Sequence, residues 1–169
     1  AKEYGSILNI KSLDFIELYD NLSQIKSKSI ENLYGLVYAE NPLNQLYSLV
    51  KQAELLSKKY DIVFTNPPYL NSSRFNSKLL SYVEKNFITT KTDLATVFFQ
   101  KAINSFCKEN GYISFIIINS WMFLKKFENF REDVIESIQF DSLVDFGTEL
   151  FEGKVGHNPI VAWVNKKNQ

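Results

Sequence analysis

Four consecutive residues, Asn66-Pro67-Pro68-Tyr69, combine groups that can hold an amine for chemistry. Two prolines in a row fix two φ angles and remove two backbone donors, so nearby carbonyl oxygens have no local amide partner. The Asn66 side-chain oxygen and one such carbonyl can together accept both hydrogens of an exocyclic amine, which positions its nitrogen toward an electrophile. The Tyr69 ring offers a face on which a planar base or amide stacks. The pattern predicts group transfer to an amine.

The position of this motif also favours a binding site. A short apolar run, Tyr60 to Thr65, predicts a strand covered on both faces, as in a parallel sheet. Ligands of open α/β sheets collect at the carboxyl ends of strands, and the motif follows that end directly. The alternative is an ordinary rigid turn with Tyr69 half-buried and Asn66 bonded to nearby backbone.

Strands and helices alternate around the motif, which predicts an α/β fold with a mostly parallel sheet. We expect strands at 6–10, 60–65, 112–118, 142–146 and 160–165. We expect helices from the 12–15 turn through 22 and at 42–59, 77–86, 93–108 and 129–139. The polar segment 23–40 has no firm period and is interpreted as a connector or insertion. We expect helix starts at Asn41 and Asp93 and a helix end just before Gly111.

Composition excludes several classes of protein. The 169 residues, of which 45% are hydrophobic, suffice for one compact domain. Nineteen basic and nineteen acidic residues give no net charge, so a wholly basic nucleic-acid-binding surface is excluded. Cys107 and His157, each the sole residue of its type, cannot form a disulfide or a usual zinc site, and a reducing cytosol fits best. The longest strongly apolar run, 113–118, is too short to span a membrane.

The motif in its context, Tyr-Asp-Ile-Val-Phe-Thr-Asn-Pro-Pro-Tyr, resembles the amino-methyltransferases with an (Asn/Asp/Ser)-Pro-Pro-(Tyr/Phe) motif. It is most similar to the N6-adenine DNA methyltransferases of restriction-modification and phage-defence systems. The resemblance runs from about Tyr4 to Asn165. It implies a partial Rossmann-like fold with a C-terminal antiparallel strand, helices on both faces of the sheet, and S-adenosylmethionine as cofactor. The implied partner is duplex DNA with a flipped adenine.

The resemblance also implies roles for single residues. Asn66 and Pro67 would take the adenine amine, with Pro68 completing the motif, and Tyr69 would stack on the flipped base. Phe151 would cover the other face of that base. Cofactor contacts are implied for three residues, namely Asp14, Phe15 and Phe98. Two departures from the family pattern occur, Ala95 in the helix that follows Asp93 and the replaced proline before Trp121.

Structural alternatives stand beside these roles. Phe15 and Phe98 lie on apolar periodic faces, which are more often core than cofactor contacts. Asp14 is also well placed to cap the helix that follows it. Lys125 and Lys126 are typical of a solvated surface, although they follow the Trp121 turn and so lie where DNA is expected.

No glycine-rich loop follows a strand in this sequence, although methyl donors of this class are bound by one. The expectation is therefore that residues 1–169 are the C-terminal portion of a catalytic domain. The cofactor loop would precede Ala1 and a target-recognition domain would follow Gln169. We expect the chain alone to be inactive and to expose an apolar sheet edge through which it can self-associate.

The motif does not by itself define the substrate. Similar loops occur in methyltransferases that act on protein glutamine or on amines in RNA. The helical stretch before the motif and the Phe151 hairpin favour DNA. A methyltransferase-like fragment retained only for binding is the alternative of a different class.

Overall fold

The computed structural model describes residues 3–11, 13–30, 33–147 and 159–166, with side chains described for 3–11, 13–28 and 41–147. The chain divides into two units. One comprises Leu8–Lys58, and the other comprises Ala1–Ile7 together with Lys59–Gln169. Among the helices in the described ranges, none has the length and apolar content needed to cross a bilayer.

The first unit contains two helices, α1 (Phe15–Ile30) and α2 (Leu33–Ser57). The Tyr19 hydroxyl donates to Glu54 Oε2 at 2.9 Å, whereas Ser23, one turn later, lies 3.1 Å from the Tyr47 hydroxyl. The pairing partner moves backward along α2 as α1 advances, so the two helices are antiparallel.

The predicted connector at 23–40 is therefore wrong, because most of it is helical. The predicted helix at 42–59 is the second part of α2 rather than a separate element. Pro42 removes one backbone donor without ending the helix. Leu22 and Leu43 are both buried, so tertiary packing of the pair outweighs the local cost of the proline.

Glu54 is the polar centre of this helix pair. Its carboxylate accepts hydrogen bonds from Lys58 at 2.6 Å, Tyr19 at 2.9 Å and Lys51 at 3.2 Å. These bonds, that from Lys58 foremost, lower the pKa of Glu54 from 4.5 to about 2. A depressed carboxyl pKa stabilises the fold above the unfolded-state value, and that contribution is lost as the pH falls.

We expect Glu54→Gln to lower the thermal midpoint at neutral pH, because the amide keeps the shape of the side chain but not its charge. The difference in midpoint between wild type and variant should shrink as the pH falls from 4.5 toward 2, where Glu54 becomes protonated. Circular dichroism melts across this interval measure the difference. A constant difference across the interval would contradict the assignment of the effect to Glu54 ionisation.

The second unit is built on a four-stranded sheet. Its strands are β1 (Tyr60–Thr65), β2 (Cys107–Ile118), β3 (Ile138–Asp145) and β4 (Pro159–Lys166), in the order β1-β2-β4-β3. β1 and β2 are parallel, and β4 is antiparallel to both β2 and β3. Three strands therefore run in one direction and the C-terminal strand opposes them. This confirms the predicted α/β fold with a mostly parallel sheet and an antiparallel last strand.

Within the described part of this unit, three α-helices accompany the sheet, α3 (Ser77–Asn86), α4 (Leu94–Lys101) and α5 (Glu128–Ser137). The Asp93 carboxylate accepts from the Ala95 amide at 2.9 Å and caps α4, as predicted. The helix predicted to reach 108 ends earlier, because one π-helical turn follows Lys101 and β2 begins at Cys107.

The main core lies on one face of the sheet. Alternate residues of β2, Ile113, Phe115 and Ile117, are buried in one cluster with residues of α4 and α5. On the opposite face, Ile62 is 60% exposed and Phe64 is 77% exposed. Within the described residues, the prediction that β1 is covered on both faces is therefore wrong. Helices were predicted on both faces of the sheet, and α4 and α5 both pack on the same face.

The predicted strand at 6–10 is also absent from the described structure. Residues Gly5–Ile7 form a single 3-10 turn instead. Ile7 is fully buried in a second apolar cluster with α3 and α4, and its carbonyl accepts from the Tyr82 hydroxyl at 3.3 Å. Packing between helices thus fixes a segment whose residue types favour a strand.

Candidate active site

The Asn-Pro-Pro-Tyr motif lies at the carboxyl end of β1. β1 ends at Thr65, whose pairing partner in parallel β2 is Phe115, so the loop lies beside the last residues of β2. Asn66 and Pro68 are exposed, Pro67 is buried, and Tyr69 is half-buried. The strand end thus presents the Asn66 amide to solvent while the loop is anchored beneath it.

Tyr69 connects this loop to the neighbouring strand. Its hydroxyl lies 2.8 Å from Asn66 Oδ1 and 3.0 Å from the Ile116 carbonyl oxygen, and it can donate to either. A phenol has one hydrogen, so the two acceptors share it. Burial raises the pKa of the Tyr69 hydroxyl, which keeps it a neutral donor at physiological pH.

The hydrogen bond from Tyr69 orients the Asn66 amide and leaves Oδ1 able to accept a second hydrogen bond. An amide oxygen has two lone pairs, so Oδ1 can accept a second hydrogen from a substrate. When that happens, the Tyr69 hydroxyl still has the Ile116 carbonyl as an acceptor. The sequence predicted the Asn66 oxygen as an acceptor but not the Ile116 carbonyl, which is 47 residues away along the chain.

The residues after the motif are tied to the start of α4. The Leu94 amide donates to the Leu70 carbonyl at 2.9 Å, and the Ser72 amide donates to the Thr92 carbonyl at 3.0 Å. Asn71 and Asp93 form an antiparallel bridge between the same segments. Backbone hydrogen bonds therefore join two loops of the site.

A cavity of about 570 Å³ opens beside Tyr69. Arg74 and Asp93 line it from the loops after β1 and before α4, and Ile118, Ser120 and Lys126 line it from the end of β2 and the loop that follows. The cavity thus occupies the ligand-binding edge expected of an α/β sheet.

The turn after β2 is fixed by an arginine. Arg131 Nη1 donates to the Trp121 carbonyl at 2.9 Å and to the Leu124 carbonyl at 2.8 Å. Trp121 itself is buried in the main core. Lys125 and Lys126, which follow this turn, are exposed, in agreement with the solvated surface that their sequence indicates.

Residues 6–151 match the family described as Eco57I restriction-modification methylase, which is most of the chain. The chain belongs to this family.

Two relatives of this Eco57I-family chain carry more specific names. It is 30% identical to the adenine-specific methyltransferase BrxX of Escherichia coli O9:H4 (strain HS), across 99% of the chain and 14% of the relative. It is also 30% identical to the adenine-specific methyltransferase PglX of Lacticaseibacillus casei (strain Zhang), across 90% of the chain and 12% of the relative. The chain thus spans a small part of the length of either relative.

A solved structure supports the fold of the Eco57I-family chain. A class I S-adenosylmethionine-dependent methyltransferase from Listeria monocytogenes superimposes with a TM-score of 0.52 at 13% identity. The match covers 69% of this chain and 36% of that protein. The resemblance drawn from the motif is therefore confirmed at the levels of family and fold.

The residues predicted to contact the cofactor fall in different places. Phe98 is half-buried in α4 and packs against both core clusters, which is the structural alternative. Asp14 belongs to the helical unit, where its Oδ1 accepts from the Ile16 and Glu17 amides and caps α1. Phe15 begins that helix. Ligand roles for these three residues stay predictions, and Phe151 lies outside the described residues.

Proposed function

We propose that the protein containing this chain transfers a methyl group from S-adenosylmethionine to the N6 amine of adenine in DNA. We further propose that it does so in a restriction-modification or related defence system. The observation that carries the proposal is the Asn66 side-chain oxygen, exposed at the carboxyl end of β1 and oriented by Tyr69. The names of the BrxX and PglX relatives support adenine as the target.

The motif residues hold the amine rather than deprotonate it. We assign one amine hydrogen to Asn66 Oδ1 and the other to the Pro67 carbonyl. Held in this way, the amine would present its nitrogen to an electrophile, which is catalysis by positioning and electrostatics. Asn66 and the Pro67 carbonyl would hold the nitrogen in place during the transfer, and one amine proton would then pass to solvent.

The chemistry of these side chains fits this cofactor. The motif places amide and carbonyl oxygens at the reaction point and no titratable group besides Tyr69, whose pKa is raised. Such a site needs a partner that brings its own electrophile. S-adenosylmethionine, when bound, supplies a methyl group activated on a sulfonium sulfur. We propose Asp14, Phe15 and Phe98 as its protein contacts.

A target adenine must leave the DNA stack to reach this loop, because the amine lies inside the duplex. We propose that Tyr69 stacks on the flipped base and that Phe151 covers its opposite face. The half-buried Tyr69 ring supports this role, since one part packs on the core while the rest stays accessible.

The chain alone is proposed to be the C-terminal part of the catalytic domain and to be inactive. Support comes from the missing glycine-rich loop and from the small share of each relative that the chain spans. Calorimetric titration of S-adenosylmethionine into residues 1–169 should give no binding heat. Micromolar binding would show that these residues carry a complete cofactor site.

The acceptor is identified by offering one labelled methyl donor to three substrates. Purified full-length protein is incubated with methyl-tritiated S-adenosylmethionine and duplex DNA, RNA or a protein extract. Our proposal predicts label in DNA alone. Label in RNA or on protein glutamine would support the alternative substrates, and no label in any fraction would support a binding fragment.

Replacing Tyr69 by phenylalanine should slow methyl transfer by about fivefold. The ring and its stacking remain, but the hydrogen bond that orients Asn66 is lost, and such a bond contributes about 1 kcal/mol. Tyr69→Ala should cost more, because base stacking on an aromatic ring adds about 1–3 kcal/mol. Single-turnover rates measure both variants, and equal rates for the two would contradict a stacking role.

Self-association of the isolated chain is expected through the β1 edge. β1 is the first strand of the sheet order, and Ile62 and Phe64 are exposed on it. Unpaired apolar edges promote strand pairing between molecules. Sedimentation velocity should show association that grows with concentration and that Phe64→Lys weakens. A monomer at all concentrations would contradict it.

We also propose a cytoplasmic location, where the DNA substrate and the cofactor are both found. The sequence contains a single cysteine, too few for an internal disulfide, and such cysteine usage is typical of a reducing compartment. Cell fractionation tests this location, and recovery in an envelope fraction would contradict it.

A further inference from the structure

We propose that Arg74 and Lys126 bind a phosphodiester group of the DNA strand beside the target base. The inference rests on the proposed function and extends it from the base to the backbone. The sequence predicted no role in substrate binding for Arg74, and it favoured a solvated surface for Lys126 while leaving a DNA contact open.

The two cations lie in one cavity with the motif tyrosine. Arg74 comes from the loop after Tyr69, and Lys126 comes from the loop after β2. Two walls formed by separate parts of the chain thus each contribute one positive charge. Ser73 and Ser120 also line the cavity and add two hydroxyl donors. Cations and hydroxyls are the side chains that usually contact phosphate oxygens.

These charges are available to a ligand. Among the described residues, no acidic side chain forms an ion pair with Arg74 or Lys126. Lys126 Nζ lies 4.7 Å from the centroid of the Phe127 ring, which leaves its charge uncompensated. The acid in the cavity wall is Asp93, and one of its oxygens caps α4. The cavity therefore carries a local excess of positive charge in a chain without net charge.

A phosphodiester fits better than the carboxylate of the cofactor. Both cations are exposed, so their ligand remains in contact with water, as a DNA backbone does. The planar guanidinium of Arg74 can bond two phosphate oxygens at once. In a chain without net charge, a local pair of cations of this kind can position the strand whose base enters the site.

The test measures the salt dependence of DNA binding by full-length protein, using fluorescence anisotropy of a labelled duplex. Each lost phosphate contact lowers the slope of log K against log salt by about 0.9. The double variant Arg74→Gln/Lys126→Gln should reduce the slope by about 0.9, the loss of one phosphate contact, and each single variant should account for part of that loss.

Two matched variants control for charge alone. Lys125→Gln removes an exposed cation next to Lys126 that does not line the cavity, and Lys85→Gln removes one on α3. Both should leave the slope nearly unchanged. A loss for Lys125→Gln equal to that for Lys126→Gln would overturn the cavity site in favour of diffuse attraction.

Titration of S-adenosylmethionine into the same variants shows whether the cations bind a DNA phosphate or the carboxylate of the cofactor. Unchanged affinity for S-adenosylmethionine supports a phosphate ligand, whereas weakened cofactor binding with an unchanged salt slope would assign the cations to the cofactor and overturn the proposal. Methylation by wild type is measured in parallel. Failure of wild type to methylate DNA would reject the proposed function, whereas DNA methylation with unchanged variant slopes would reject only the phosphate site.

Discussion

Asn66→Ala should reduce methyl transfer by full-length protein by about 100-fold or more. The substitution removes the oxygen that we assign to one amine hydrogen, and losing one preorganised hydrogen bond at a reaction centre costs about 10²–10³ in rate. The fold should survive, because the Tyr69 hydroxyl keeps the Ile116 carbonyl as its acceptor at 3.0 Å. Single-turnover transfer of labelled methyl to DNA measures the loss.

Two further variants make this prediction specific. Asn66→Asp keeps side-chain oxygens that can accept the amine hydrogens and should retain much more activity than Asn66→Ala. Asn86→Ala removes an exposed asparagine at the end of α3, outside the cavity, and should have a small effect. An Asn66→Ala rate within about tenfold of wild type would contradict the assigned role.

Gly111→Ala should destabilise the protein by about 2–3 kcal/mol. A Cβ at this position would lie 2.7 Å from Cys107 Sγ and 2.8 Å from the Asp61 carbonyl oxygen. Neither group can easily withdraw, because Cys107 is fully buried and Asp61 belongs to β1. Only glycine therefore fits where β2 meets β1. Urea unfolding monitored by circular dichroism measures the loss.

A second substitution tests the cause of that loss. Cys107→Ala removes one of the two closest atoms, so the double variant should lose less stability than the sum of the single variants. If the loss in the double variant equals the sum of the two single losses, contact with Cys107 is not the cause of the strain at Gly111. A Gly111→Ala variant as stable as wild type would contradict the close contact altogether.

Local signals predicted the elements on which the site depends. The strand Tyr60–Thr65 and the helix Ser77–Asn86 have the bounds that periodicity and capping indicated. The cap at Asp93 was readable because a carboxylate before an apolar periodic run satisfies helix amides locally. Such features depend on neighbours in the sequence, which is why the residue pattern contains them.

Other features depend on packing between distant segments, and the pattern missed them. Pro42 indicated a helix start, yet α2 runs through it while packing against α1. Ile7 lies in strand-forming sequence but is buried against α3 and α4. The apolar run of β1 indicated cover on both faces, yet Phe64 is exposed.

The same distinction between local and long-range features applies to the candidate site. Asn66 and Tyr69 were found because motif chemistry is local in sequence. The Ile116 acceptor and the cavity shared by Arg74 and Lys126 arise only when β1 and β2 lie side by side. The sequence contains no periodic signal that shows which side chains from the ends of two strands will lie close together.

The most direct test of adenine methylation at Asn66 identifies the methylated atom. Full-length protein and S-adenosylmethionine are incubated with unmethylated duplex DNA, which is digested to nucleosides and analysed by mass spectrometry. We expect N6-methyladenine with wild type and almost none with Asn66→Ala. DNA that gains no N6-methyladenine from active, cofactor-binding protein, or gains its methyl group on another base, would contradict it.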